Sequence, residues 1–209
     1  MRKRVGIIGG GAAGIFAACQ FKRLSCDIDV TLIDKNPIPG KKLILTGHGR
    51  CNITNRKTPE KLKNCYHEAG NFIYPALKEF SPEDTIYFFE NELNLKTKEE
   101  DNNRIFPVCD SAVAVRDRLV SYISSDVSVI GEANVQNIEK TTEFEVVTTK
   151  GTYKFDYLIL SCGGSSFPKT GSTGDSYRFA EKLGHTIVPT RGALAPVKAD
   201  DASVGFCRN

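Results

Sequence analysis

Gly9, Gly11 and Gly14 form a G-x-G-x-x-G run between an apolar stretch and a stretch of good helix formers. In that context the spacing brings backbone N–H groups against a phosphate. Gly9 permits a tight turn, Gly11 lets the backbone approach a pyrophosphate, and Gly14 lets the helix pack close to the strand. Ala12 and Ala13 open the helix, whose N-terminal N–H groups and dipole favour an anion. Asp34 follows about 20 residues on, where a carboxylate accepts hydrogen bonds from an adenosine ribose. Lys35, directly after it, is either a contact for a ribose 2′-phosphate or a surface lysine. The competing interpretation, a packing turn plus a solvated acid, accounts for fewer of these features in register. The ligand class is a dinucleotide, and these residues alone serve FAD or NAD(P).

Other residues have weaker claims. Cys51 beside Arg50 can have a stabilised thiolate, but no cysteine stands at C-x-x-C spacing from it. A loop cysteine that packs against or lines the site is the favoured alternative. His48 can act as acid or base, although a tolerated substitution is the better account. His67 and His185 read as surface or packing residues. Lys169, Thr170, Ser172, Thr173 and Asp175 make a polar loop before a helix, which either borders an anion or flavin or is simply a capped loop. Tyr66, Phe72 and Tyr74 read as core rather than a substrate cage. The seven cysteines are scattered and suit neither zinc nor a dense disulfide framework. Reduced thiols and a cytoplasmic location are the expectation.

The elements that must position these residues follow from pattern. Arg4 to Gly9 and Asp29 to Asp34 are β-branched apolar runs, read as strands buried on both faces. Ala12 to Arg23 is the helix between them, which makes a parallel crossover. Pro37 to Asn55 is rich in Gly, Pro, Thr and Asn and reads mostly as loop. Pro59 to about Lys98 reads as helical, with Ser81-Pro82-Glu83-Asp84 a helix start. Leu95 to Phe106 reads as a hairpin turning at Asp101-Asn102-Asn103. Asp110 or Ser111 caps a helix to about Ser124. Val127 to Ile138, Phe144 to Thr149 and Thr152 to Phe155 have strand period. Tyr157 to Ser161 is again continuous and apolar, ending at Cys162-Gly163-Gly164. Asp175 to Leu183 is a helix stopped by Gly184, and His185 to Val188 starts a further strand.

The 209 residues suffice for one domain, or one domain and part of another. The net charge of +3 is small and spread along the chain, which argues against nucleic acid or an anionic membrane as partner. No stretch approaches the roughly 20 apolar residues of a membrane span. The glycines at Gly9 to Gly11 interrupt the only candidate secretory core.

The loop Gly40 to Asn55, GKKLILTGHGRCNITN, is far more specific than the glycine run. With Arg104-Ile105-Phe106-Pro107, Ser111, Gly163-Gly164 and Phe167 to Asp175 (FPKTGSTGD), it resembles bacterial flavoproteins known as aminoacetone oxidase family, or BaiN-like, FAD-binding enzymes. The resemblance runs from Val5 to about Val197. It implies an α/β, Rossmann-like FAD-binding domain over residues 1–188, with a central parallel sheet, an antiparallel three-stranded crossover and a helical insert at about 57–108. Residues 189–209 would begin a second, substrate-side domain that is otherwise largely absent. It implies FAD near Lys42, Arg50, Cys51 and Asn52, adenine against the backbone of Val135, and Cys162, Gly163 and Gly164 as a second glycine turn. His48 stands where the family has Gly, which brings strain if the position needs positive φ. Cys162 stands where Thr is usual. The implied activity is FAD-dependent oxidoreduction of a small organic substrate, with NAD(P) or dioxygen as redox partner. The alternatives are a catalytically inactive nucleotide-binding fragment and a flavin-dependent RNA-modifying enzyme.

Overall fold

The computed structural model describes residues 2–24 and 27–190. The chain opens with β1 (Lys3–Ile8), α1 (Ala12–Arg23) and β2 (Ile28–Ile33). An insert follows, with the two-residue strand β3 (Thr54–Asn55), helices α2 (Pro59–Cys65), α3 (Gly70–Glu79) and α4 (Pro82–Tyr87), and the hairpin of β4 (Thr97–Glu100) and β5 (Arg104–Pro107). Then come α5 (Ala112–Ile123), β6 (Val127–Ile130), β7 (Val135–Lys140), β8 (Phe144–Thr148), β9 (Gly151–Phe155), β10 (Tyr157–Leu160) and α6 (Asp175–Lys182). Four strands form a parallel sheet in the order β10-β1-β2-β6. A separate antiparallel sheet, β7-β8-β9, is the expected crossover, and β3-β5-β4 forms a third sheet inside the insert. The architecture is the α/β, Rossmann-like one read from the sequence.

Alternation along β1 and β2 explains why both runs are apolar throughout, since successive side chains point to opposite faces. Val5, Ile7, Val30 and Leu32 face α1 and α5, meeting Ile15, Ala18, Cys19, Val115, Leu119 and Ile123. Ile8 and Ile33 face the other way, onto Val135, Ile138, Val146 and Phe155 of the crossover and Phe179 of α6. Each fully buried Ile, Leu or Phe here contributes about 1.5–3 kcal/mol. Gly6 belongs to the second face. A Cβ there would lie 2.5 Å from the Phe155 ring, so a bare backbone lets β9 sit against β1. The insert is anchored to the first face by edge-on aromatic contacts of Phe88 with Phe16, Phe89 and Tyr122.

Ser81 and Asp84 form a reciprocal capping box at α4, and Ser111 rather than Asp110 caps α5, its Oγ accepting from Ala114 N–H at 3.2 Å. Four expectations need correction. Val127 to Ile138 is two strands, because Gly131, Glu132 and Ala133 turn across the end of β2: Glu132 N–H donates to Asn36 O at 3.0 Å and Ala133 N–H to Asp34 O at 2.9 Å. The chain thereby leaves one sheet for another. The helical stretch ends at Glu92 in a π-turn, and the hairpin takes over from Thr97. His185 to Val188 forms no strand. Tyr66 and Phe72 are not core; Phe72 is 87% exposed on α3. Residues 191–209, where nearly all of the expected start of a second domain falls, lie outside the described residues.

Candidate functional site

A cleft opens at the carboxyl ends of β10, β1 and β2, where strand order brings two connections apart on either side of β1. That is the position at which open parallel sheets bind ligands. Gly9 ends β1 with φ 102°, and a Cβ there would lie 2.6 Å from Ser161 O and 2.7 Å from the Cys162 backbone. The two glycine turns therefore touch. Ser161 Oγ donates to Gly9 O at 2.8 Å, and Ser161 N–H to Ile8 O at 2.8 Å. A Cβ at Gly14 would lie 1.9 Å from Gly9 O, which is the close helix–strand packing the fingerprint predicts. Gly11 differs from both, since its Cβ would meet nothing within 4 Å and would point into open space. The first turn of α1 closes from Ile15 N–H to Gly11 O, so the N–H groups of Ala12 and Ala13 begin the helix with no carbonyl a turn behind them.

Asp34 sits at the end of β2, 9% exposed. Its Oδ2 accepts from Gly10 N–H at 2.6 Å, and its Oδ1 accepts from Asn36 N–H at 2.7 Å and Asn36 Nδ2 at 2.9 Å. Each carboxylate oxygen has two lone pairs, so Oδ2 retains acceptor capacity toward the cleft. Asn36 also donates to Thr170 O at 3.3 Å and so ties Asp34 to the polar loop. Asn36 was not singled out from the sequence. Its position two residues after the ribose-type acid, in an Asx-like turn, was the available signal.

Lys35 lines the cleft beside Asp34. Its ammonium pairs with Asp175 Oδ2 at 2.7 Å and Thr173 Oγ1 at 3.1 Å. Burial opposes ionisation of Asp175, but hydrogen bonds from Lys35, Thr173 and Arg178 outweigh it and hold its carboxyl below the usual range. Thr170 and Ser172 are buried polar residues, and with Gly171 and Asp175 they line the cleft. The polar loop thus borders the site; Gly174, not Asp175, is the cap residue of α6.

Val135, Cys162, Gly163 and Lys42 line the same cleft. Gly164 lies behind, its carbonyl accepting from Gly174 N–H at 3.2 Å. Burial pushes the Cys162 thiol up. Arg50, Cys51 and Asn52 do not reach the cleft lining. Arg50 turns to Glu100 Oε1 at 2.8 Å and stacks 4.2 Å from the Phe106 ring centroid. Cys51 is 3% exposed within the core, and burial pushes its thiol up. The Asn52 amide faces the carbonyls of Ile105 and Thr54. These three hold the loop that carries Lys42 and Thr46, with Cys51 N–H donating to Thr46 O at 3.0 Å. His48 has φ 56° and is exposed, so the strain anticipated at this position is present. His67 and His185 are also exposed, and among the described residues no His/Cys/Asp/Glu group could hold a metal. None of the described helices is long and apolar enough to cross a membrane.

The HI0933-like protein Rossmann domain matches residues 3–202. A 3-dehydro-bile acid delta(4,6)-reductase of Clostridium scindens is 35% identical over 198 residues, covering 93% of this chain and 47% of the reductase. A ribosomal RNA dihydrouridine synthase of Escherichia coli is 32% identical over 200 residues, covering 91% of this chain and 46% of the synthase. The chain spans about half the length of the curated relatives it matches. Among solved structures, THI4 of Thermovibrio ammonificans aligns with TM-score 0.52 and 11% identity, covering 88% of this chain and 64% of that one, a likeness of fold alone.

Proposed function

The chain belongs to the HI0933-like Rossmann domain family, and from that premise we propose that it is the FAD-holding part of a flavin-dependent oxidoreductase acting on a small organic substrate. The observation that carries this is the open space at Gly11, set between the start of α1 and the Asp34 carboxylate. Gly9 and Gly14 are glycines because backbone crowds them, whereas Gly11 is free of neighbours, as a phosphate-approach position should be. The residues present therefore fit an ADP-containing cofactor. FAD, when bound, supplies hydride and electron transfer, and the protein positions and tunes it.

In this reading the N–H groups of Gly11, Ala12 and Ala13 and the α1 dipole hold the pyrophosphate. Asp34 accepts from ribose hydroxyls, and the backbone of Val135 meets the adenine. Lys42, Cys162 and Gly163 contact the remaining cofactor, and Gly164, Arg50, Cys51 and Asn52 support those contacts from behind. Lys35 is assigned to the Asp175 pair rather than to a 2′-phosphate, which favours a cofactor with a free ribose. The names of the relatives, a delta(4,6)-reductase and dihydrouridine synthases, support the reductive direction; in this reading NAD(P)H is the donor. Two relatives named for ribosomal RNA favour a second reading, in which the reduced ring is a uracil base.

The test is to purify the chain, record its visible spectrum and titrate the apoprotein with FAD. Flavin absorbance, or stoichiometric uptake of FAD, is expected. A colourless protein that takes up no FAD overturns the reading in favour of an inactive fragment. Assay of the flavin-loaded protein with NADH or NADPH, on a conjugated enone and on ribosomal RNA separately, divides the two substrate classes.

A further inference from the structure

We propose that Asp175 is a specificity-determining residue of the cleft: by holding the Lys35 ammonium, it makes the adenosine end accept a free ribose and reject a ribose 2′-phosphate. The proposal rests on the ADP-cofactor reading above and deepens it. Lys35 follows the ribose-type acid Asp34 and lines the cleft with it. A cationic side chain near that acid is what accommodates a 2′-phosphate in dinucleotide sites. The Lys35 side chain is 29% exposed, so a ligand in the cleft can reach it. Left free, it would be a point charge for phosphate.

It is not left free. Lys35 Nζ meets Asp175 Oδ2 at 2.7 Å and Thr173 Oγ1 at 3.1 Å, and Thr173 Oγ1 donates to the same Oδ2 at 2.6 Å. Arg178 stands 3.5 Å from the other oxygen, Oδ1. The lysine stem is seated as well. Gly171 has φ 98°, and a Cβ there would lie 3.3 Å from Lys35 Cδ and 3.5 Å from Cε, so the stem lies along bare backbone of the polar loop. An acid in the first turn of α6 also suits the helix dipole. That role needs no partner 140 residues away, and Gly174 already takes the cap position.

Charge and donor count then decide what the ribose can carry. Asp34, Lys35 and Asp175 all line the cleft, and together they carry one net negative charge. A ribose hydroxyl donates to the acceptor capacity left on Asp34. A phosphate dianion has no proton to donate, and it meets two carboxylates and an ammonium already neutralised. Removing the Asp175 charge returns Lys35 to the ligand. A 2′-phosphorylated dinucleotide therefore does not compete with FAD for this cleft.

The experiment titrates the chain with FAD, and with ADP-ribose and 2′-phospho-ADP-ribose, two probes that differ only in the 2′-phosphate. Wild type, Asp175→Asn, Asp175→Ser and the double variant Lys35→Ala/Asp175→Asn are compared, each with a melting curve. Wild type is expected to bind ADP-ribose about tenfold more tightly than its 2′-phosphate. Asp175→Asn and Asp175→Ser narrow that gap about fivefold by tightening the 2′-phosphate, the scale of one charge contact near water. The double variant removes the pair as a neutral unit and keeps the wild-type gap within about twofold. Equal wild-type affinities, a gap that the single variants leave unchanged or narrow only by weakening ADP-ribose, or a gap narrowed as much in the double variant, overturns the proposal and leaves the FAD reading intact. Wild type that takes up neither FAD nor ADP-ribose overturns the FAD reading, and the proposal with it.

Discussion

Replacing Gly11 by Val separates binding from folding. Gly11 has φ −76° and ψ −172°, extended backbone open to any residue, and as a glycine it contributes no side-chain cap that a substitution would remove. A Cβ would meet nothing within 4 Å, so the apoprotein gains no clash. The cost to folding is the poorer helix start of valine against glycine, at most about 1 kcal/mol. The cost to binding is large, because the valine methyls occupy the space through which a pyrophosphate must approach the backbone. A loss of at least 100-fold in FAD affinity, about 2.7 kcal/mol, is expected. Gly14→Val is the control for the opposite behaviour: with its Cβ 1.9 Å from Gly9 O, it disrupts the packing of α1 on β1 and prevents folding. The assay is FAD titration of the apoprotein by flavin fluorescence, with melting curves alongside. Gly11→Val that folds and still binds FAD like wild type refutes the cofactor assignment. Gly11→Val that fails to fold refutes the claim that the space is open.

His48→Gly relieves the left-handed strain at an exposed position. It should raise stability by about 0.5–1 kcal/mol after the entropy of the added glycine is subtracted, visible as a melting point about 2 °C higher. The Asp175 carboxyl is held below its unfolded value of about 3.9. Its contribution is present above that pH and is lost as pH falls through the depressed folded value. The stability gap between wild type and Asp175→Asn should be constant from neutral pH to about 5 and close below about 4, as urea titrations at each pH would show; a gap that persists at pH 2 contradicts the pairing with Lys35. Of the cysteines among the described residues, alkylation at pH 8 with peptide mapping should label exposed Cys65 and Cys109 first. Cys51, and Cys19 with its thiol pushed by burial to about 12, should react only on unfolding. Rapid labelling of Cys51 would revive it as a reactive thiol.

The glycine run and Asp34 were legible because their constraint is local: turn, helix start and strand end lie within one crossover. The partners that complete the site were not. Lys35 finds Asp175 at a separation of 140 residues, and no local pattern marks that pairing. Val127 to Ile138 reads as one strand because an apolar period carries no sign of which sheet a strand joins. Gly131, where a Cβ would lie 2.4 Å from Pro37 O, marked the break. Arg50 and Cys51 were expected at the cofactor from their place in the specific loop. Sequence could not show that Glu100 and Phe106 draw the guanidinium aside. Phe72 shows the limit of residue type as a guide to burial, and Phe167 the limit of propensity, since no preference scale places phenylalanine at positive φ.

The Phe155 ring over Gly6 bears on how this molecule closes. β1, α1 and β2 close over short loops, whereas the junction of β10 with β1 joins residues as far apart as Ile8 and Ser161, separated by 153 positions. Such long closures carry a larger loop-closure entropy cost than the short loops of the β1–α1–β2 crossover. The Phe155 ring fits β1 only because position 6 is bare, so the crossover and the β10 edge are held to the sheet by the same contact. The second glycine turn, one wall of the cleft, depends on that closure. A ligand bound to the finished cleft would therefore stabilise the closed arrangement over the unfolded chain by mass action.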